Sequence, residues 1–164
     1  MRRVSRPILI AGIASLPALL LPAGREACAQ KVTVTNTRGL DFGRIVAVGA
    51  GTVAVAPGVP GATGNGVIVL NGGSPGPASF TVSGIVGNRQ AVITFNSPSI
   101  QLTSVTGGVT STMTVDAFRS LPAADTFVAP AAAASVSVGA TLHVKSPQAA
   151  GTYSGAFSVT VNFN

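Results

Sequence analysis

The stretch Gly151-Thr-Tyr-Ser-Gly-Ala-Phe-Ser-Val-Thr-Val-Asn-Phe-Asn164 alternates with a period of two. Tyr153, Phe157, Val159, Val161 and Phe163 fall on one parity, and Thr152, Ser154, Ser158, Thr160, Asn162 and Asn164 on the other. A period of two held over this length in β-branched and aromatic residues predicts one half-buried strand over residues 151–164. A second stretch repeats the pattern, with Val136, Val138, Ala140, Leu142 and Val144 opposed to Ser135, Ser137, Thr141, His143 and Lys145. The connection 146–151 is long enough that the two strands need not be hairpin partners.

Working outward, shorter strand candidates lie at 32–36, 40–48, 52–56, 66–70, 79–83, 91–95, 100–103 and 112–118. Between them stand turn-forming clusters such as Pro57-Gly58-Val59-Pro60-Gly61, Gly87-Asn88 and Gly107-Gly108. Many short strands punctuated by Gly, Pro and Asn predict an all-β fold, an immunoglobulin-like β-sandwich. Residues 129–134 favour helix by composition, but Pro130 interrupts them and the run is too short to stand alone, so a loop is expected. Within Leu40-Asp41-Phe42-Gly43-Arg44-Ile45 the apolar parity changes, and Gly43 offers the backbone freedom for a bulge or corner there.

Residues 1–29 read as a secretory signal. Arg2, Arg3 and Arg6 precede an apolar stretch from Ile8 to Leu21, and Ala27-Cys28-Ala29 is a small-x-small cleavage site. The apolar stretch is shorter than a bilayer span, and Pro22, Arg25 and Glu26 end it, so no retained membrane anchor is expected. Lipidation at Cys28 is the competing reading, although Arg25 stands where lipoprotein signals carry an aliphatic residue. Cleavage leaves residues 30–164 as a single β-sandwich domain, of a size that one core can serve. The formal charge then falls from +6 to +3, because four basic residues and one acidic residue leave with the signal. The only cysteine leaves as well. The remaining basic residues are scattered without interleaved aromatics, which does not support a nucleic-acid footprint. Charge is sparse and hydroxyl residues abundant, a composition suited to an exported domain whose outer faces carry Ser and Thr.

Catalysis requires convergent titratable or metal-binding groups. After cleavage the chain offers one histidine, three aspartates, no glutamate and no cysteine. His143 sits on the polar parity of its strand and reads as a solvated residue. Asp41, Asp116 and Asp125 have no ligand spacing among themselves. No catalytic residue, no metal site and no cofactor is expected, and the glycine runs lack both the lysine and the following helix of a phosphate loop. The seven phenylalanines mostly follow strand alternation and read as core.

Leu40-Asp41-Phe42-Gly43, then Gly72-Gly73-Ser74-Pro75 with Ala78-Ser79-Phe80-Thr81-Val82-Ser83-Gly84, Met113-Thr114-Val115-Asp116, Val138-Gly139-Ala140-Thr141-Leu142 and Gly151-Thr152-Tyr153-Ser154-Gly155 follow in order. Together they resemble the bacterial family called domain of unknown function 4402 (DUF4402). The resemblance implies a pilin-like, fimbrial-subunit-like sandwich of immunoglobulin type, associated with a periplasmic chaperone and an usher and assembling with copies of itself or related subunits. In such fibres the subunit is an incomplete sandwich completed by a donated strand. On that model Val32 and Val34, within Lys31 to Asn36, are the candidate donor strand. Phe157, Val159, Val161, Phe163 and Asn164 form the terminal strand that faces the chaperone or neighbour. The same Val32 to Asn36 residues also fit the first strand of a self-complete sandwich.

The leading expectation is an exported structural subunit or adhesin-like module of a chaperone-assembled surface fibre, passing through the periplasm to the cell surface. The alternative is a self-complete extracellular sandwich that binds glycan or another surface protein. An outer-membrane barrel ranks below both, because no Trp and one Tyr leave its aromatic girdles unfilled. An enzyme ranks last.

Overall fold

A computed structural model describes residues 32–123, 127–130 and 132–164. The expected leader, Cys28, Gln30, Lys31 and Asp125 lie outside the described residues. Every regular element among them is a strand, in antiparallel pairs, and the fold is an all-β sandwich. The strands are β1 (Thr33–Arg38), β2 (Arg44–Val46), β3 (Gly51–Val55), β4 (Thr63–Asn65), β5 (Ile68–Leu70), β6 (Ala78–Ile85), β7 (Arg89–Phe95), β8 (Ile100–Thr106), β9 (Val109–Leu121), β10 (Phe127–Ala129), β11 (Ala132–Val144) and β12 (Val159–Phe163).

The long alternating stretch around Val136 becomes β11, the spine of a seven-stranded sheet. One edge of β11 is shared end to end. Its first half pairs with β6, Ala134 opposite Val82 and Val138 opposite Ala78, and its second half pairs with β3, Leu142 opposite Val53. The other edge pairs with β9, which pairs in turn with β8. Gly139 stands at the changeover, where the chain leaving β3 crosses it. A Cβ there would meet the Val55 carbonyl oxygen and lie 2.7 Å from Pro57 N, so only glycine fits. The first half of the sheet ends on β1, an edge strand paired to β6 with Thr33 opposite Ser83 and Thr35 opposite Thr81.

A three-stranded sheet, β10-β7-β12, and a two-stranded ribbon, β2-β5, cover the inner face of the large sheet. Two apolar clusters result. The first joins Val82, Val136 and Val138 to Ala91 and Ile93 of β7, with Val159, Val161 and Phe163 packed against it. The second joins Phe42, Val53, Val115, Leu142 and Val144, with Ile45 and Val69 of the ribbon packed on it. Phe118 touches both clusters and makes ring contacts with Phe95 and Phe157, at centroid distances of 5.6 and 5.2 Å. Alternate residues of β1, β6 and β11 on the outer face form aligned hydroxyl rows, as in Thr35, Thr81 and Ser135.

The structure corrects three expectations. The strand expected over 151–164 is two pieces: Ser154 exchanges backbone bonds with Thr103 of β8, and the regular strand starts only at Val159. Gly155 is the reason, since its Cβ would lie 2.8 Å from the Gln101 carbonyl oxygen, which pins the chain against β8 before it crosses to the small sheet. Residues 129–134 are not a free loop, because Ala129 closes β10 and Ala132 opens β11 with a positive φ of 81°. β9 (Val109–Leu121) extends past 112–118 at both ends, continuing beyond Ala117, which at φ 50° makes a bulge. Met113 and Val115 face inward before it, and Phe118 and Ser120 after it.

Ser120 thus carries a buried hydroxyl with no partner among the described residues. An unmatched buried polar group costs roughly 1–3 kcal/mol. Ser120→Ala is expected to raise the unfolding free energy by about 1 kcal/mol, read as a higher urea midpoint at unchanged m-value.

Candidate functional site

The terminal strand pairs with β7 through Val159 opposite Phe95, Val161 opposite Ile93 and Phe163 opposite Ala91. Two flanking bonds set its phase. Asn96 N–H donates to the Ser158 carbonyl at 3.3 Å, and Asn164 N–H donates to the Gln90 carbonyl at 3.0 Å. In an antiparallel ladder, residues of one parity exchange both bonds with the partner while the other parity turns its N–H and C=O away. Ser158, Thr160, Asn162 and Asn164 therefore bond to β7. Val159, Val161 and Phe163 send their side chains into the first cluster and their backbone groups to the outer edge. β12 is the last strand of its sheet, so these groups meet no strand among the described residues.

Edge strands are commonly protected by charge, proline or a bulge. Residues 158–164 carry no charge and no proline, and the register of β12 is unbroken. The inner parity is not fully covered either: Phe157, Val159, Val161 and Phe163 are all half-buried, whereas Ile93 on the neighbouring strand is buried. An added strand with alternating apolar residues would satisfy the free backbone groups and cover this apolar margin together.

Beside the start of this edge opens a groove of about 1000 Å³. Residues 39–47 form one wall, residues 148–157 the other, and Ile100, Leu102, Met113, Val115 and Leu142 the floor. Phe157 belongs both to the groove and to the margin of β12. Asp41 and Gly76 exchange backbone bonds of 3.0 and 2.8 Å, and the Asp41 carboxylate accepts from Gly43 N–H at 2.7 Å, which lets Gly43 turn at φ 80° into β2. On the second wall the Tyr153 hydroxyl donates to the Ala149 carbonyl at 2.6 Å and accepts from the Gln148 amide at 2.7 Å. Tyr153→Phe removes both bonds. It is expected to cost about 1–2 kcal/mol and to speed amide exchange across 148–156, measured by hydrogen–deuterium exchange.

The candidate donor residues lie elsewhere. Val32, just ahead of β1, packs on the first cluster, and Val34, 41% exposed, pairs with Val82 of β6 within the chain's own sheet. Sequence reasoning did not reach the groove, whose floor comes from the β8-β9 hairpin and the distant β11 and whose walls lie far apart in the chain.

His143 of β11 and Asp116 of β9, diagonal in the register, meet with Nε2 to Oδ1 at 2.8 Å, both partly exposed. Such a pair contributes on the order of 0–1 kcal/mol, and no nucleophile bonds to it among the described residues. No group of three or more His, Cys, Asp or Glu that could hold a metal occurs among the described residues, and no helix there is long and apolar enough to cross a membrane.

Compared with known proteins, the chain matches one family model, described as "Domain of unknown function (DUF4402)", over residues 32–163. No curated protein and no solved structure matches it.

Proposed function

The chain belongs to the DUF4402 family, and on that premise we propose that it is an exported structural subunit or adhesin-like module of a surface fibre, assembled by addition of a β-strand at its terminal edge. What carries the proposal is the bare outer edge of β12, with the backbone groups of Val159, Val161 and Phe163 turned outward. Strand order supports it. On an immunoglobulin-type reading, the run β1-β6-β11 is taken as A-B-E and the run β10-β7-β12 as C′-C-F, outside which such domains carry a further strand, G. Tyr153, bonded back to the carbonyl four residues upstream ahead of the last strand, matches the tyrosine corner of such domains.

Strand addition combines backbone bonding, which is insensitive to sequence, with alternate side chains that set register. A periplasmic chaperone strand and then a strand of a neighbouring subunit would use the same edge in turn, with an usher at the surface. The hydroxyl-covered, weakly charged outer face suits a fibre exterior. One observation favours a second reading, a self-complete extracellular module that binds glycan or another surface protein: β1 is already in place on β6.

The test is the full chain exported with its leader to the periplasm of a host lacking its partners. A fibre subunit is expected to be recovered in low yield as monomer and to associate as concentration rises. A monodisperse, cooperative monomer indifferent to concentration would contradict strand addition and favour the self-complete module.

A further inference from the structure

We propose that Asn71 is a site of spontaneous covalent modification, at which the side-chain amide is lost as ammonia and a carboxylate forms in the turn flanked by Arg38 and Arg44. The inference stands apart from the fibre-subunit reading, since it concerns the turn that leaves β5 and not an edge that pairs.

An asparagine followed by glycine closes readily into a cyclic imide. The Gly72 nitrogen attacks Cγ of Asn71, an N–Cγ bond forms, and the Cγ–Nδ2 bond breaks, with ammonia carrying away the Gly72 amide proton. Water then opens the ring. Attack at the side-chain carbonyl gives aspartate, attack at the main-chain carbonyl gives isoaspartate, and either way a proton returns to nitrogen and a carboxylate is left. Water is the one co-reactant, and nothing is oxidised or reduced. Glycine is the permissive neighbour because it has no Cβ to shield its nitrogen.

Two Asn-Gly pairs occur in the chain, Asn65-Gly66 and Asn71-Gly72, and the fold holds them differently. Asn65 ends β4 opposite Thr52 of β3, and its peptide is packed against backbone. A Cβ at Gly51 would meet the Asn65 carbonyl oxygen, and one at Gly66 would lie 2.7 Å from the Ala50 carbonyl oxygen. Ring closure at Asn65 swings this peptide toward the side chain, and there is no room for that until β3 and β4 separate. Asn71, by contrast, follows the end of the β2–β5 register at Leu70, and residues 71–74 are all exposed. Gly72 and Gly73, at φ 101° and 90°, have open space to 4 Å where a Cβ would stand. The Asn71-Gly72 peptide therefore turns without breaking a ladder bond or displacing a neighbour.

The surroundings also suit the charge of the product. Arg44 opens β2 opposite Leu70, the residue before Asn71, and the Arg38 guanidinium donates to the Ser74 carbonyl in the same turn. Neither guanidinium has a carboxylate partner among the described residues. Asp41, tied to Gly76 nearby, already accepts from Gly43 N–H through its carboxylate. Modification at Asn71 thus lowers the formal charge by one beside two cations.

The test ages the full chain, purified after export, at mildly alkaline pH, folded and in concentrated urea. Peptide mass spectrometry that separates aspartate from isoaspartate then follows positions 65 and 71. In the folded chain Asn71 is expected to convert roughly tenfold or more faster than Asn65, because attack at Asn65 waits for local opening. In urea, where only the shared Asn-Gly sequence matters, the two rates are expected to converge. Isoaspartate at position 71 marks the imide, and a more acidic species on cation exchange should co-elute with Asn71→Asp and be missing from Asn71→Gln. Equal rates in the folded chain, faster conversion at Asn65, aspartate alone at position 71, or the same acidic species from N71Q would each overturn the proposal.

Discussion

Gly139→Ala is expected to abolish the folded state at 37 °C or to cost at least about 3 kcal/mol, well above an ordinary surface change. Ala is the best test because it adds one carbon and little else. That carbon would enter the space of the Val55 carbonyl and approach the backbone of Ala56 and Pro57, none of which is the movable end of a side chain. Relief requires β3 to shift away from β11, which would break the Leu142 to Val53 register and open the second cluster. Gly107→Ala is the control. Gly107 is at φ 60° in the turn between β8 and β9 with open space around it, so only backbone strain of about 1–2 kcal/mol applies. Urea unfolding of the two variants is expected to give clearly different midpoints.

Proline placed at neighbouring positions of β12 is expected to act in opposite ways. Thr160 sends its N–H to β7, so Thr160→Pro removes a ladder bond and forces the ring against the partner strand. A loss of at least about 3 kcal/mol should follow. Val161 sends its N–H outward, so Val161→Pro keeps the bonds to β7 and removes a donor on the free edge alone. Packing on the first cluster weakens by roughly 1–2 kcal/mol, and the monomer remains folded. If copies join through this edge, V161P monomers stay monomeric at concentrations where the parent chain assembles. Assembly of V161P at parental concentrations would place the joint elsewhere.

What could be read in the chain, and what could not, follows from parity. Alternation survives where one face is buried and the other solvated, so β11 and β12 stand out, and the hydroxyl outer face could be anticipated from Ser135, Ser137 and Thr81. Alternation fails as a guide at a bulge. Across Ala117 the inward set passes from Met113 and Val115 to Phe118 and Ser120, so a reading by fixed parity stops where the strand continues. β4 and β10 are three residues each, too short for a period to register. The break at Gly155 is tertiary, set by close approach to β8, and the glycine inside the alternating run is its one local mark.

The candidate site divides in the same way. Phe157, Val159, Val161 and Phe163 were legible as one apolar parity, yet their importance at the edge lies in the backbone, whose direction depends on which parity bonds to β7. That phase is set by Asn96 and Gln90, more than sixty residues upstream in the chain. Val32 and Val34 were legible as alternating knobs, but periodicity does not say whether a strand pairs within its own chain or with another. The groove required the topology itself, because residues 39–47 and 148–157 become neighbours only once β8, β9 and β11 lie beneath them.

The most direct measurement is residue-resolved amide exchange on the isolated monomer and on its assembled form. A bare β12 edge accepting a strand predicts fast exchange at Val159, Val161 and Phe163 in the monomer beside protected Thr160 and Asn162, and protection of all five after assembly. Protection of Val159, Val161 and Phe163 already in the monomer, or their continued fast exchange in the assembly, would contradict it.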